Sequence, residues 1–267
     1  MRPTMSHWII VLLLGVIEGI TEFLPVSSTG HLLIAERLLH ARQSDLFNVV
    51  IQAGAVLAVI PLFSGRILGA LQNPGSSTVR DYWTKLIAAF VITGAGGVVL
   101  DKMKVKLPED PTPVGIALLV GGVLFLVAEW LIRGRKGNDQ ITWTIAIAVG
   151  VGQLVAAVFP GASRSGTTII VALILGLNRT AATEFTFLLG IPTMLAASGL
   201  KIFKALHHPP VGAAPEDWSA VGLGFLVSAV VSFVVVKWLL GYVRNHTFAA
   251  FGYYRIAAGL LILIALR

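Results

Sequence analysis

Glu18-Gly-Ile-Thr-Glu22-Phe-Leu-Pro25-Val-Ser-Ser-Thr-Gly-His31 interrupts an apolar run that begins near residue 8 and resumes at Leu32. Residues 8–24 read as an apolar helix stopped by Pro25. Residues 31–39 read as a second helix, reaching roughly 14 Å at 1.5 Å per residue. A bilayer core about 30 Å thick needs roughly 20 apolar residues per crossing, so this second piece cannot cross. The pattern recurs downstream: 141–159 stops at Pro160, Pro160-Gly-Ala-Ser-Arg-Ser-Gly166 follows, and 166–177 reaches only about 18 Å. Two partial helices joined by a polar break form a re-entrant hairpin. Non-helical backbone at membrane depth is tolerated only inside protein or beside a water-filled cavity, so both breaks are expected to line one cavity.

The composition agrees with a lipid environment. Of 267 residues, 56% are hydrophobic and 12% charged, against about 25% charged in soluble domains; mean hydropathy is +0.85. The formal charge of +7 sits between the apolar runs. No basic helix or aromatic-interleaved patch is long enough to track nucleic acid, and contact with anionic headgroups accounts for the excess. Without cysteine, disulfide and thiolate chemistry are excluded. Glu18 and Glu22 lie within the first apolar run, which a signal-peptide core would not carry, so that run is read as part of the mature protein.

Six further segments are long enough to cross: about 46–64, 83–100, 112–132, 180–205, 217–242 and 249–266. Gly15 to Pro25 aligns without gaps on Gly150 to Pro160, an offset of 135, and one inserted residue brings Ser27-Ser-Thr-Gly30 onto Ser163-Arg-Ser-Gly166. The expected fold is an all-α polytopic membrane protein, a single domain over 1–267. Its halves, about 1–135 and 136–267, each hold one re-entrant hairpin plus three transmembrane helices. An odd number of crossings inverts the second half, and such repeats place sites at discontinuous helices near the midplane.

Glu18 and Glu22 share one helix face, within about 40° at 3.6 residues per turn. Two carboxylates at membrane depth require a partner: a divalent cation, an arginine or a shared proton. His31, three residues after Ser28, is a candidate base or proton carrier. Ser163, Arg164 and Ser165, with Thr168 in the next turn, offer hydroxyls, a guanidinium fork and a helix N-terminus to phosphate. Ser27 and Thr29 are candidate phosphate ligands on the first break. Two mechanisms remain open. In one, Ser28 is the nucleophile and His31 takes its proton; in the other, water on a cation held by Glu18 and Glu22 attacks. The Ser–His spacing favours the serine. Elsewhere, Glu36, Arg37, Arg42, Lys102, Lys104, Lys106 and Arg133 to Lys136 read as headgroup contacts or solvated loops. Glu129 and Glu184 read as interfacial, Gln52 as either a helix contact or a cavity residue, and His207-His208 before Pro209-Pro210 as loop.

These residues resemble the undecaprenyl-diphosphate phosphatase family, also called the bacitracin-resistance family. Its marks are Glu-x-x-x-Glu running into Pro-Val-Ser-Ser-Thr-Gly-His, here Glu18 to His31, and Pro-Gly-x-Ser-Arg-Ser-x-x-Thr, here Pro160 to Thr168. The resemblance implies removal of the terminal phosphate from C55 isoprenyl diphosphate, recycling a cell-wall lipid carrier and conferring bacitracin resistance. It implies dependence on Mg2+ or Ca2+, with Glu18 and Glu22 as the metal carboxylates, and functional roles for Glu18, Glu22, Ser28, His31 and Arg164. It also implies a multi-pass protein of the bacterial inner membrane whose site faces the extracytoplasmic side, with membrane lipids around it and room for a homodimer. The type-2 phosphatidic acid phosphatases also carry Ser-Gly-His and Ser-Arg motifs. They need a histidine six residues after that arginine, where this chain has Ile170. A flippase of polyprenyl phosphate is the alternative of another class, but passive anion capture has no need of the Glu/Ser/His set.

The re-entrant reading puts both termini and the loops 101–111 and 206–216 on one side, and the loops 65–82, 133–140 and 243–248 on the other. The second side holds Arg66, Arg80, Arg133, Arg135, Lys136 and Arg244 with fewer acids, which assigns it to the cytoplasm. Single cysteines at Ser44 and Asn138 are therefore expected to label from opposite faces of intact membranes. Labelling from the same face would eliminate the inverted arrangement.

Overall fold

A computed structural model describes residues 5–103, 111–208 and 215–265. Lys104, Lys106, Pro209 and Pro210 lie outside the described residues. The described chain is helical, with no strand. Helix α1 (His7–Thr21) leads through the first break to α2 (Ser28–Leu39), and α3 (Asp45–Leu57) continues through a 3-10 turn (Ile60–Phe63) into α4 (Ser64–Gln72). There follow α5 (Ser77–Lys102), α6 (Pro111–Leu131), α7 (Trp143–Val158), α8 (Arg164–Ile174), α9 (Arg179–His207), α10 (Trp218–Tyr242) and α11 (Ala249–Ala265). Five helical stretches are long and apolar enough to cross a membrane: Asp45–Gln72, α5, α6, α9 and α10. Helix α11, expected as a sixth, is apolar and is described over 17 residues, up to the edge of the described chain.

Local chemistry sets the boundaries. Side-chain oxygens of Ser44, Thr142, Asn178 and Asp217 accept the free N–H groups that open α3, α7, α9 and α10. Pro61 has no N–H to donate, so the expected single helix over 46–64 breaks there into the 3-10 turn. The first short helix begins at Ser28 rather than His31, because Ser27 is its cap and accepts from Gly30 N.

Helices far apart in the chain pack together. α1 packs on α10, α7 packs on α5, α6 pairs with α11, and α3 lies against both α9 and α10. Glycines permit the close approaches: a Cβ on Gly122 would stand 2.7 Å from the Gly252 carbonyl, the small-residue packing expected where lipid offers no hydrophobic drive. Hydroxyls tie the crossed pairs, Ser232 donating to Gly19 O at 2.9 Å and Thr93 to Gly150 O at 3.1 Å. Apolar side chains such as Trp130, Leu226, Val230 and Leu261 face outward.

Ion pairs gather the loops at two ends. His7–Asp217, Asp45–Lys201 and Asp101–Lys204 form at one end, Arg66–Glu184 and Glu129–Arg179 at the other. Glu36, expected as a headgroup contact or solvated loop, is buried, and Glu129, expected as interfacial, is buried among protein groups. Glu36 accepts from Asn48 Nδ2 and Gln43 N, closing the turn into α3. Glu129 accepts from Arg179 and from Phe248 N, joining α6 to α9 and to the lead into α11. His207 is the last residue of α9, stacked on Phe203, rather than loop.

Candidate active site

Both breaks are built alike. Ser27 caps α2 at φ 73°, ψ 94°, and Ser163 caps α8 at φ 69°, ψ 117°; each accepts the N–H of the glycine three residues on. Left-handed backbone at a serine costs on the order of 1–3 kcal/mol and persists where its surroundings enforce it. The enforcing group is Arg255. Its side chain is 0% exposed, and its guanidinium donates to Pro25 O of the first break, to Gly161 O and Ala162 O of the second, and to Ala117 O and Leu118 O of α6. Gly161, at φ +96°, lies where a Cβ would press into the Val114 carbonyl at 2.7 Å, so the second break can pass α6 only as glycine.

The breaks bring three of the expected residues into direct contact. Ser28 Oγ donates to Glu22 Oε2 at 2.6 Å, and Arg164 Nη2 donates to Glu22 Oε1 at 2.7 Å. Arg164 Nε and Nη1 are buried without a protein partner, and Gly190 leaves the space its guanidinium fills. Glu18, one turn before Glu22, is 0% exposed and both its carboxylate oxygens lack partners. An orphaned buried carboxylate calls for a cation or a proton. The Glu18–Glu22 pair fits a divalent cation of the Mg2+ type, which takes one or two carboxylates and completes its shell with phosphate oxygens and water.

A cavity of about 590 Å3 opens onto this cluster. Glu22, Ser27, Ser28, Thr29, Ser163 and Arg164 line its polar end, and Gln52 lines it too rather than serving as a helix contact. Along α5, α7 and α9 the walls are apolar or small, including Val98, Leu154 and Leu200; Asp101, Lys201 and Lys204 stand farther out.

Other expected residues are placed differently. Ser165 Oγ donates to the carbonyls of Glu22 and Leu24, and Thr168 Oγ1 to those of Arg164 and Ser165, so both hydroxyls hold backbone rather than face the cavity. His31 does not meet Ser28. Its Nδ1 lies 2.7 Å from Ser27 O and its Nε2 2.6 Å from Tyr254 Oη.

Sequence patterns alone did not single out Arg255, Tyr254, Thr93 or Gln153. Gln153 lines the cavity and donates to Thr93 Oγ1 at 3.1 Å. The offset of 135 places it on Glu18, a signal that the internal repeat itself carries. Arg255 was legible as a lone cation inside an apolar run.

Comparison with known proteins gives one concordant answer. A model of the family described as bacitracin resistance protein BacA matches residues 11–261. The chain is 54% identical over 252 residues to an undecaprenyl-diphosphatase of Rhizobium etli, covering 94% of each chain. It is 49% identical to one of Xylella fastidiosa over 94% of this chain and 96% of the relative, and 48% identical to one of Xanthomonas euvesicatoria over 97% of each.

Removing the Arg255 guanidinium strands carbonyls of both breaks in a low-dielectric interior. Arg255→Leu is expected to lower stability by at least about 3 kcal/mol. The same change at exposed Arg133 should stay within about 0.5 kcal/mol. Thermal unfolding of the detergent-solubilised variants checks the contrast.

Proposed function

Since the chain belongs to the bacitracin resistance protein BacA family, we propose that it hydrolyses undecaprenyl diphosphate to undecaprenyl phosphate and inorganic phosphate at the Glu22–Ser28–Arg164 cluster. The Ser28–Glu22 hydrogen bond carries this reading. A hydroxyl donating to a buried carboxylate, with a guanidinium on the other oxygen, is a nucleophile and its base beside an anion receptor. An anion carrier has no use for the first two.

In this mechanism Glu22 takes the Ser28 proton while the serine oxygen attacks the terminal phosphorus. The anhydride P–O bond breaks and undecaprenyl phosphate leaves, its bridging oxygen taking the proton from Glu22, which returns to the carboxylate. Water, deprotonated by Glu22, then attacks the phosphoserine and releases inorganic phosphate. Arg164 can hold Glu22 through Nη2 and turn its unpartnered Nε and Nη1 toward phosphate oxygens. Ser27, Thr29 and Ser163 stand at the same cavity end, and the N-termini of α2 and α8 add positive dipole there. A divalent cation held by Glu18 and Glu22, when bound, supplies neutralising charge to the diphosphate. The apolar walls accommodate the start of the isoprenyl chain.

The same reading makes the chain a multi-pass protein of the bacterial inner membrane built from inverted halves with re-entrant hairpins. Support comes from the paired serine caps, from the reciprocal packing of α1 on α10 and α7 on α5, and from the ion pairs that separate the loops into two ends. The cavity extends toward the Asp101–Lys204 end, shared with His7 and Asp217, which this reading turns to the extracytoplasmic side.

Ser28→Ala is expected to retain less than about a tenth of wild-type turnover while still binding substrate. Acid-quenched wild-type enzyme should carry label from substrate labelled in its terminal phosphate; higher retention, or no trapped label, removes the serine route. Arg164→Lys keeps the charge and loses the planar fork. Its kcat/KM should drop by on the order of tenfold to a thousandfold, and full activity would reduce Arg164 to a counter-ion of Glu22.

A further inference from the structure

Helix α11 delivers a second polar group to the first break. Tyr254 precedes Arg255, and its ring stacks on His31 with centroids 5.7 Å apart and planes 9° from parallel. Its Oη stands 2.6 Å from His31 Nε2, and His31 Nδ1 stands 2.7 Å from Ser27 O. A carbonyl oxygen can only accept, so Nδ1 carries the imidazole proton. In the neutral ring Nε2 is then the acceptor, and the phenol must donate to it. The chain of donors runs Tyr254 O–H to His31 Nε2, then His31 Nδ1–H to Ser27 O.

Ser27 is the left-handed residue immediately before Ser28, and its carbonyl also accepts the His31 backbone N–H at 3.2 Å. The orientation of that peptide sets where the Ser28 hydroxyl meets Glu22. The second break lacks such a brace: Thr167 occupies the position matching His31, and its hydroxyl donates to Ala162 O at 3.4 Å.

We propose that Tyr254 is a positioning residue for the hydrolytic reaction, holding His31 in its Nδ1-protonated form against the Ser27 carbonyl and so fixing the strained turn that aims Ser28. The proposal rests on the reading of Ser28 as nucleophile. It gives the histidine expected as a base another task, that of a brace between α11 and the first break.

The test is Tyr254→Phe, which keeps the stacked ring and removes only the donor. With undecaprenyl diphosphate as substrate, kcat is expected to fall about tenfold while KM stays within about twofold and the melting temperature stays close to wild type. In 15N-histidine-labelled protein, the unprotonated His31 Nε2 signal, assigned by its loss in His31→Gln, should shift in Tyr254→Phe. An unmoved Nε2 signal overturns the brace. A moved signal with unchanged kcat, or with a loss confined to KM, overturns the positioning role. If the wild-type protein releases no phosphate from the diphosphate lipid, the functional reading fails, and with it the link to catalysis; the nitrogen shift still reports whether the brace exists.

Discussion

A backbone carbonyl stranded in a membrane interior costs free energy unless something donates to it, and this fold strands several of them at two breaks. Arg255 answers that need. Its guanidinium offers five N–H donors in one plane and takes carbonyls from both breaks and from α6, with no carboxylate among its hydrogen-bond partners in the described residues. Spreading the cation over so many dipoles serves in place of an ion pair. With the breaks pinned to one centre, the left-handed turns at Ser27 and Ser163 face each other, and Arg164 reaches Glu22 across them.

The site inherits its chemistry from that meeting. Glu22 comes from the end of the first apolar helix, Ser28 from the start of the next, and Arg164 from the equivalent start in the other half. One carboxylate thus carries two charge-assisted hydrogen bonds, which orients it without consuming every donor on the guanidinium. Glu18 lies one turn deeper, its carboxylate oxygens without a hydrogen-bond partner, so the cluster keeps unmet demand for a cation or a proton. Arg164, with two unpaired nitrogens, keeps unmet demand for negative charge. A phosphate group meets the second demand, and a cation or a proton meets the first.

Much of this was readable from residues. Pro25 and Pro160 announced the breaks between α1 and α2 and between α7 and α8, and the acid and hydroxyl singled out beside the first do meet, with Arg164, at Glu22. The errors have particular physical causes. Ser28 and His31, three apart, looked like neighbours, yet helical side chains lean toward the N-terminus, and the imidazole leans back to the carbonyl four residues earlier. Glu36 looked superficial because its partner Asn48 lies on another element, α3. Pro61 was passed over because the run around it is apolar throughout. Arg255 and Tyr254 bind a carbonyl set and a ring nitrogen more than ninety residues away, and no spacing in the chain encodes such partners.

The exchange of helices between halves has a bearing on biosynthesis. A ribosome delivers α1 and α2 first, with Pro25 O and the Ser27 turn already committed to the membrane. The helix that packs on α1 is α10, and the side chain that satisfies the Pro25 carbonyl sits on α11, 230 residues later. In the nascent chain the Pro25 carbonyl therefore has no Arg255 guanidinium to donate to it until α11 has been translated. Any truncation before α11 leaves every earlier segment present and both breaks unsealed.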